Sequence, residues 1–127
     1  MDKAALVNID IGRGAEVLDI LDRAKIRPTV AMWAHLSEYE DWRLVIAARG
    51  FDELELRAAY RLLHDTLRAE DMGPEKRPAT MIFATTDPFI KGLRRMFGKS
   101  KSVEGSRLGG QMFGDRFIED AFVYRIS

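Results

Sequence analysis

Hydrophobic positions along the chain switch between helical and strand periods. Val17, Leu18, Leu21 and Ala24 recur at three- and four-residue steps, with Glu16, Asp19, Asp22 and Arg23 between them. That spacing predicts an amphipathic helix over about Arg13–Lys25, ended by Pro28, since the residue before a proline is pushed out of the helical region. Thr29–Leu36 and Trp42–Arg49 are rich in apolar and β-forming residues and flank the short polar stretch Ser37–Asp41, which reads as an antiparallel hairpin. With Leu36 opposite Trp42, Val30, Met32, Ala34, Leu36, Trp42, Leu44, Ile46 and Ala48 share one face. Thr29, Ala31, Trp33, His35, Arg43, Val45, Ala47 and Arg49 share the other.

Leu56, Ala59, Tyr60, Leu63 and Leu67 form the stripe of a second helix over about Asp52–Glu70, with Asp52 as its N-cap. Ala79–Thr85 is a short apolar run between two helical patterns and reads as a central, buried strand. Thr86 or Asp87 caps a third helix, Pro88 suits its first position, Ile90, Leu93 and Phe97 face inward, and Gly98 closes it. Arg107–Ile126 reads as a second hairpin turning at Gly114-Asp115, with Gly109-Gly110 marking a bulge or a close backbone approach. Asp71–Pro78 and Gly98–Ser106 are loops. The expected architecture is therefore a single α+β domain over 1–127, in the order α-β-β-α-β-α-β-β. It has a mixed, mostly antiparallel sheet of about five strands and three helices, which leave the Trp33 face open for a partner.

Composition narrows the class. The 127 residues hold 20 Lys+Arg and 20 Asp+Glu, and 46% are apolar, a balance unlike that of disordered chains. No apolar run is long enough to span a bilayer. Met1-Asp2-Lys3 opens onto only five apolar or neutral residues, without the hydrophobic stretch of a signal peptide, so a cytoplasmic protein is expected. The absence of cysteine removes disulfides, thiol catalysis and thiolate metal sites. Charge is uneven along the chain. Residues 1–72 carry more acids than bases, and residues 73–127 the reverse.

The stretches Pro28–Trp33, Trp42–Ala47, Ala59-Tyr60 and Phe117–Ile126 resemble a family of small bacterial proteins with no assigned activity. The resemblance implies a prokaryotic, single-domain protein and brings no site with it.

Four groups of residues carry candidate chemistry. Trp33, His35, Arg43 and Val45, on one hairpin face, form a ligand or interface set, in which His35 and Arg43 make a small anion site beside Asp41. Lys91, Arg94, Arg95, Lys99, Lys101 and Arg107 face a single acid, Glu104, and suit a phosphate backbone. Glu119-Asp120 interrupts an apolar strand. With Asp41 and Glu53 it could hold a divalent metal, or it could mark a bulge or a salt bridge to Arg116 or Arg125. Gly12-Arg13-Gly14 hints at a phosphate loop but lacks the third glycine and the preceding strand, and reads better as a flexible helix entry.

The leading expectation is a non-catalytic interaction module that forms a homodimer through the Trp33 face and needs no cofactor. The alternatives are nucleic-acid or phosphate-ligand binding through the basic 91–107 segment, and a small metal-dependent phosphodiesterase or nuclease.

Overall fold

The first helix begins earlier than its hydrophobic period indicates. In the computed structural model, which describes residues 6–127 apart from the side chain of Lys101, helix α1 spans Asn8–Arg23. The opening Met1-Asp2-Lys3 stretch lies outside the described residues. Asp10, in the first turn of α1, accepts a hydrogen bond from the Val7 N–H (3.3 Å) and sets a negative charge at the positive end of the helix. Gly12 and Gly14 therefore sit inside a helix, and the phosphate-loop reading has no loop to stand on. Gly14 is required by packing. A Cβ there would lie 2.8 Å from the Trp33 indole nitrogen and closer still to the Tyr124 hydroxyl.

The helix ends before Pro28 acts. Lys25 adopts φ 65°, and the Ile26 N–H reaches back to the Leu21 carbonyl (3.0 Å). This left-handed closing turn usually takes glycine.

Strand β1 (Val30–Leu36) is buried along its whole length and lies at the middle of the sheet. It pairs antiparallel with β2 (Arg43–Ala47), but the register differs by one residue from the expected one: Trp33 faces Leu44 and Met32 faces Val45. Because side chains alternate, that single step moves all of β2 to the other face. Trp33 shares its side with Leu44 and Ile46, while Val45 and Ala47 join Val30, Met32 and Ala34.

The expected second helix is two. Helix α2 (Arg49–Asp52) is one short turn, and α3 (Leu56–Ala69) carries the buried stripe Ala59, Leu63 and Leu67. Asp52 is not the cap of α3. Its carboxylate accepts from the backbone N–H (2.9 Å) and the hydroxyl (2.5 Å) of Thr85. Helix α3 ends as α1 does, with Asp71 at φ 64° and the Met72 N–H bonded to the Leu67 carbonyl (3.0 Å).

Strand β3 (Thr80–Phe83) pairs parallel with β2 and forms an edge of the sheet. The expectation that it is central is thus corrected: β1 takes that place, because the last strand inserts beside it. Helix α4 (Pro88–Phe97) is capped as expected, by an Asp87 side chain that accepts from the Phe89 N–H (2.9 Å).

The C-terminal region turns at Gly114-Asp115 but builds three strands: β4 (Arg107–Leu108), β5 (Gln111–Phe113) and the long β6 (Arg116–Ile126). Gly109, between β4 and β5, meets the opposite strand so closely that a Cβ would lie 2.7 Å from the Glu119 carbonyl oxygen.

The sheet order is β3-β2-β1-β6-β4, with β5 also on β6. Every pairing is antiparallel except that of β2 with β3. This is a single-domain α+β fold with four helices and a mixed six-stranded sheet among the described residues. Both faces are covered. Helices α1 and α3 pack Val17, Ile20, Leu21, Ala59, Leu63 and Leu67 against Trp33, Leu44 and Ile46. Helix α4 and the β5–β6 hairpin pack Phe89, Ile90, Leu93 and Phe113 against Met32, Val45 and Phe83. No helix among the described residues is long and apolar enough to cross a membrane.

Candidate functional site

The set Trp33, His35, Arg43 and Val45 is divided by the sheet. Trp33 and His35 point to the α1–α3 side, and Arg43 and Val45 to the α4 side. The cause is the one-residue register difference, which leaves no shared anion site. Trp33 is 4% exposed, and its indole N–H donates to the Asp10 carbonyl (3.0 Å). Val45 is fully buried. An association surface built on these two side chains has nothing exposed to offer, because α1 and α3 cover the face expected to be open.

His35 is 3% exposed. Its Nε2 lies 3.0 Å from the Glu40 carbonyl oxygen. A carbonyl only accepts, so Nε2 carries the hydrogen. The ring stands at 74° to that of Trp42, with centroids 5.8 Å apart, and Nδ1 lies 3.7 Å from the Glu119 carboxylate. Arg43 instead lies over the Tyr39 ring, 4.8 Å from its centroid.

The carboxylates proposed for a metal are not brought together. Asp41 precedes β2 and Glu53 follows α2 beyond the other end of that strand, so the length of β2 separates them. Asp120 is held by Arg107 through two hydrogen bonds (3.3 and 2.6 Å). Glu119 occupies a bulge: His35 pairs with Asp120 and Leu36 with Ile118, which skips it. Among the described residues, no three His, Asp or Glu side chains are grouped so as to hold a metal. The bulge accounts for the acid pair; Asp120 pairs with Arg107, while Arg116 pairs with Glu38 and Arg125 with Asp22.

The basic segment is brought together in part. Lys91, Arg94 and Arg95 follow helical spacing on the outer side of α4, opposite Ile90, Leu93 and Phe97, and Lys99 follows just beyond the Gly98 cap. With Gly98 and Ser127 they line an open hollow of about 560 Å³, and no carboxylate side chain lies in its wall. Arg94 donates from Nε to the Ser127 carbonyl oxygen (2.7 Å), which fixes its guanidinium. Lys91, Arg95 and Lys99 make no ion pair with a described residue. Arg94 and Arg95 also sit in the last turn of α4, where cations complement the helix dipole. Arg107 belongs elsewhere. It pairs opposite Phe122 on the α1–α3 face, with its guanidinium 5.7 Å from the Trp42 ring. The side chain of Lys101 lies outside the described residues.

A second hollow, which the linear pattern of residues does not reveal, lies on the α1 side at the Trp42 end of β2. Its walls come from α1, β1, the residues just before β2 and the residues after α3.

These features define an α+β protein with one strongly basic helix face. Compared with known proteins, the chain matches no protein family, no curated protein and no solved structure. The likeness to small bacterial proteins accordingly gains no support.

Proposed function

We propose that this protein is a binding module that holds a nucleic-acid backbone on the outer face of α4. The observation that supports this reading is the four cations Lys91, Arg94, Arg95 and Lys99 around one hollow of about 560 Å³, without an acidic side chain in its wall. Cations three and four residues apart on a helix lie on one side, at separations that let several phosphates be met together. Neutralising phosphates releases their condensed counterions, so affinity depends steeply on salt.

The test is fluorescence anisotropy of a labelled single-stranded oligonucleotide over a range of potassium chloride concentrations. Four phosphate contacts predict a slope of about −3 for log K against log salt. Lys91→Glu with Arg95→Glu should remove binding while lowering the melting temperature only slightly, since both side chains are exposed and only Arg95 gives up a favourable place at the helix end. Absence of binding at low salt, or binding unchanged by the double reversal, refutes the proposal.

A further inference from the structure

Both tryptophans of the chain line one hollow. It measures about 360 Å³, within the range of small-molecule sites. Its wall holds Asp10 and Arg13 from α1, Trp33 from β1, Asp41 and Trp42 from just before β2, and Lys76, Arg77, Pro78 and Ala79 from the segment leading to β3. Three cations and two carboxylates therefore surround two indoles. Arg13, Asp41 and Lys76 make no ion pair and no side-chain hydrogen bond with a described residue. Opposite charges on a protein surface ordinarily find one another, and here they stand apart around open space.

The frame of the hollow is fixed. Trp33 is tied to the Asp10 carbonyl (3.0 Å), Arg77 donates from Nε to the Met72 carbonyl (3.0 Å), and the Leu44 N–H bonds to the Ala79 carbonyl (2.7 Å). Trp42 is braced by the His35 ring, set at 74° to it, and by the Arg107 guanidinium. The site is thus preorganised, which lowers the entropic cost of binding.

We infer that this hollow binds a mononucleotide, meaning a planar heteroaromatic base that carries a phosphate. The indole of Trp42 offers a stacking surface for the base. Arg13, Lys76 and Arg77 supply charge for the phosphate, and a guanidinium suits two of its oxygens at once. The Asp10 and Asp41 carboxylates can accept hydrogen bonds from amino and imino groups on the rim of the base. A ligand with only one of these features would leave part of the wall unmatched. Inorganic phosphate meets the cations alone, and a nucleoside meets the indole and carboxylates alone. The inference does not depend on the nucleic-acid reading of α4, because the hollow lies on the α1 face of the sheet and α4 covers the other.

Because both tryptophans line the site, intrinsic fluorescence reports on it directly. The experiment titrates adenosine monophosphate and guanosine monophosphate into the full chain, excited at the red edge of indole absorption, with calorimetry on the same samples. Saturable quenching by at least one mononucleotide is expected. Inorganic phosphate and the free nucleoside should each bind at least about tenfold more weakly, the effect of losing one good contact. Arg13→Ala and Lys76→Ala should each weaken mononucleotide binding about tenfold without lowering the melting temperature, whereas Lys91→Glu with Arg95→Glu should leave it unchanged. Three results overturn the inference: no saturable signal at millimolar mononucleotide, equal binding of inorganic phosphate, or binding unaffected by both alanine variants. If the oligonucleotide still binds α4 in that event, only the hollow has failed.

Discussion

Two glycines in α1 should respond to alanine with opposite signs. Glycine inside a helix is about 1 kcal/mol less favourable than alanine, so propensity alone says that both Gly12→Ala and Gly14→Ala stabilise. At Gly12 nothing lies within 4 Å of the added Cβ, and the gain of up to about 1 kcal/mol should appear in full. At Gly14 the Cβ would fall 2.8 Å from both the Trp33 indole nitrogen and a ring carbon of Tyr124, with the Tyr124 hydroxyl closer still. Neither ring can swing aside freely. The indole N–H is held by the Asp10 carbonyl (3.0 Å), and the Tyr124 hydroxyl donates to the Ile11 carbonyl (2.5 Å). Overpacking of this kind costs about 2 kcal/mol, and one displaced hydrogen bond about 1 kcal/mol more. Set against the propensity gain, Gly14→Ala should lose about 2 kcal/mol, equivalent to a fall of about 8 °C in Tm for a domain of this size. Urea unfolding followed by tryptophan fluorescence measures both variants, and the Gly12→Ala midpoint should rise. If Gly14→Ala proves as stable as the parent, the close seat of α1 on the sheet is wrong, and with it the α1 wall of the two-tryptophan hollow.

Other perturbations test separate parts of the fold. Burial pushes the Tyr124 phenol up to about 12, with the Asp10 charge adding to the effect and the contact with Trp33 opposing it. A phenol raised above the unfolded value of about 10 contributes stability that is intact below that pH and is lost as pH rises towards the folded value. Urea midpoints should therefore fall between pH 10 and about 12, and fall less in Tyr124→Phe; equal slopes would refute this. Lys25→Gly and Asp71→Gly should each stabilise by about 0.5–1 kcal/mol, because both positions hold the left-handed conformation that glycine adopts without strain, and a loss in either variant counts against the helix ends described. The Ile82 N–H on the β3 edge donates to the Tyr60 hydroxyl (2.9 Å). Tyr60→Phe should lose about 1 kcal/mol and, by freeing an edge donor, increase self-association in light scattering; an unchanged mass and midpoint would refute it.

Helices α3 and α4 are legible in the sequence because each buries one stripe against a face that repeats every three or four residues, and Asp87-Pro88 marks the start of α4. The register of β1 with β2 is not. Val30, Ala31, Met32, Trp33 and Ala34 are all buried, so both faces of β1 are apolar, and alternation carries no information about which neighbour faces which. The helix ends at Lys25 and Asp71 are hidden for another reason: the closing turn is made by residues other than glycine, and its only linear trace is the apolar residue that follows, Ile26 or Met72. The α4 cations are legible because one helix places them. The two-tryptophan hollow draws on four separate segments, and nothing local in any of them announces the others.

The acid pair in β6 shows how a strand keeps two faces apolar while carrying charge. Its positions facing α4 are Ile118, Ala121, Val123 and Ile126, with steps of three, two and three. Strict alternation would give steps of two. Each longer step coincides with a register shift against β1, one passing over Glu119 and the other over Tyr124. The first bulge takes Glu119 out of the ladder and turns Asp120 toward Arg107, next to Trp42. Phe122 and Tyr124, two residues apart, share the α1 side, where Tyr124 reaches the Ile11 carbonyl, and the second bulge returns Ile126 to the α4 side. The first irregularity therefore serves the α1 face. It supplies the carboxylate that holds Arg107 beside Trp42, and it turns to the α1 side Tyr124, whose phenol seats α1 on the sheet. The setting of the two-tryptophan hollow depends on this departure from alternation, whereas Lys91, Arg94 and Arg95 are placed by the helical spacing of α4.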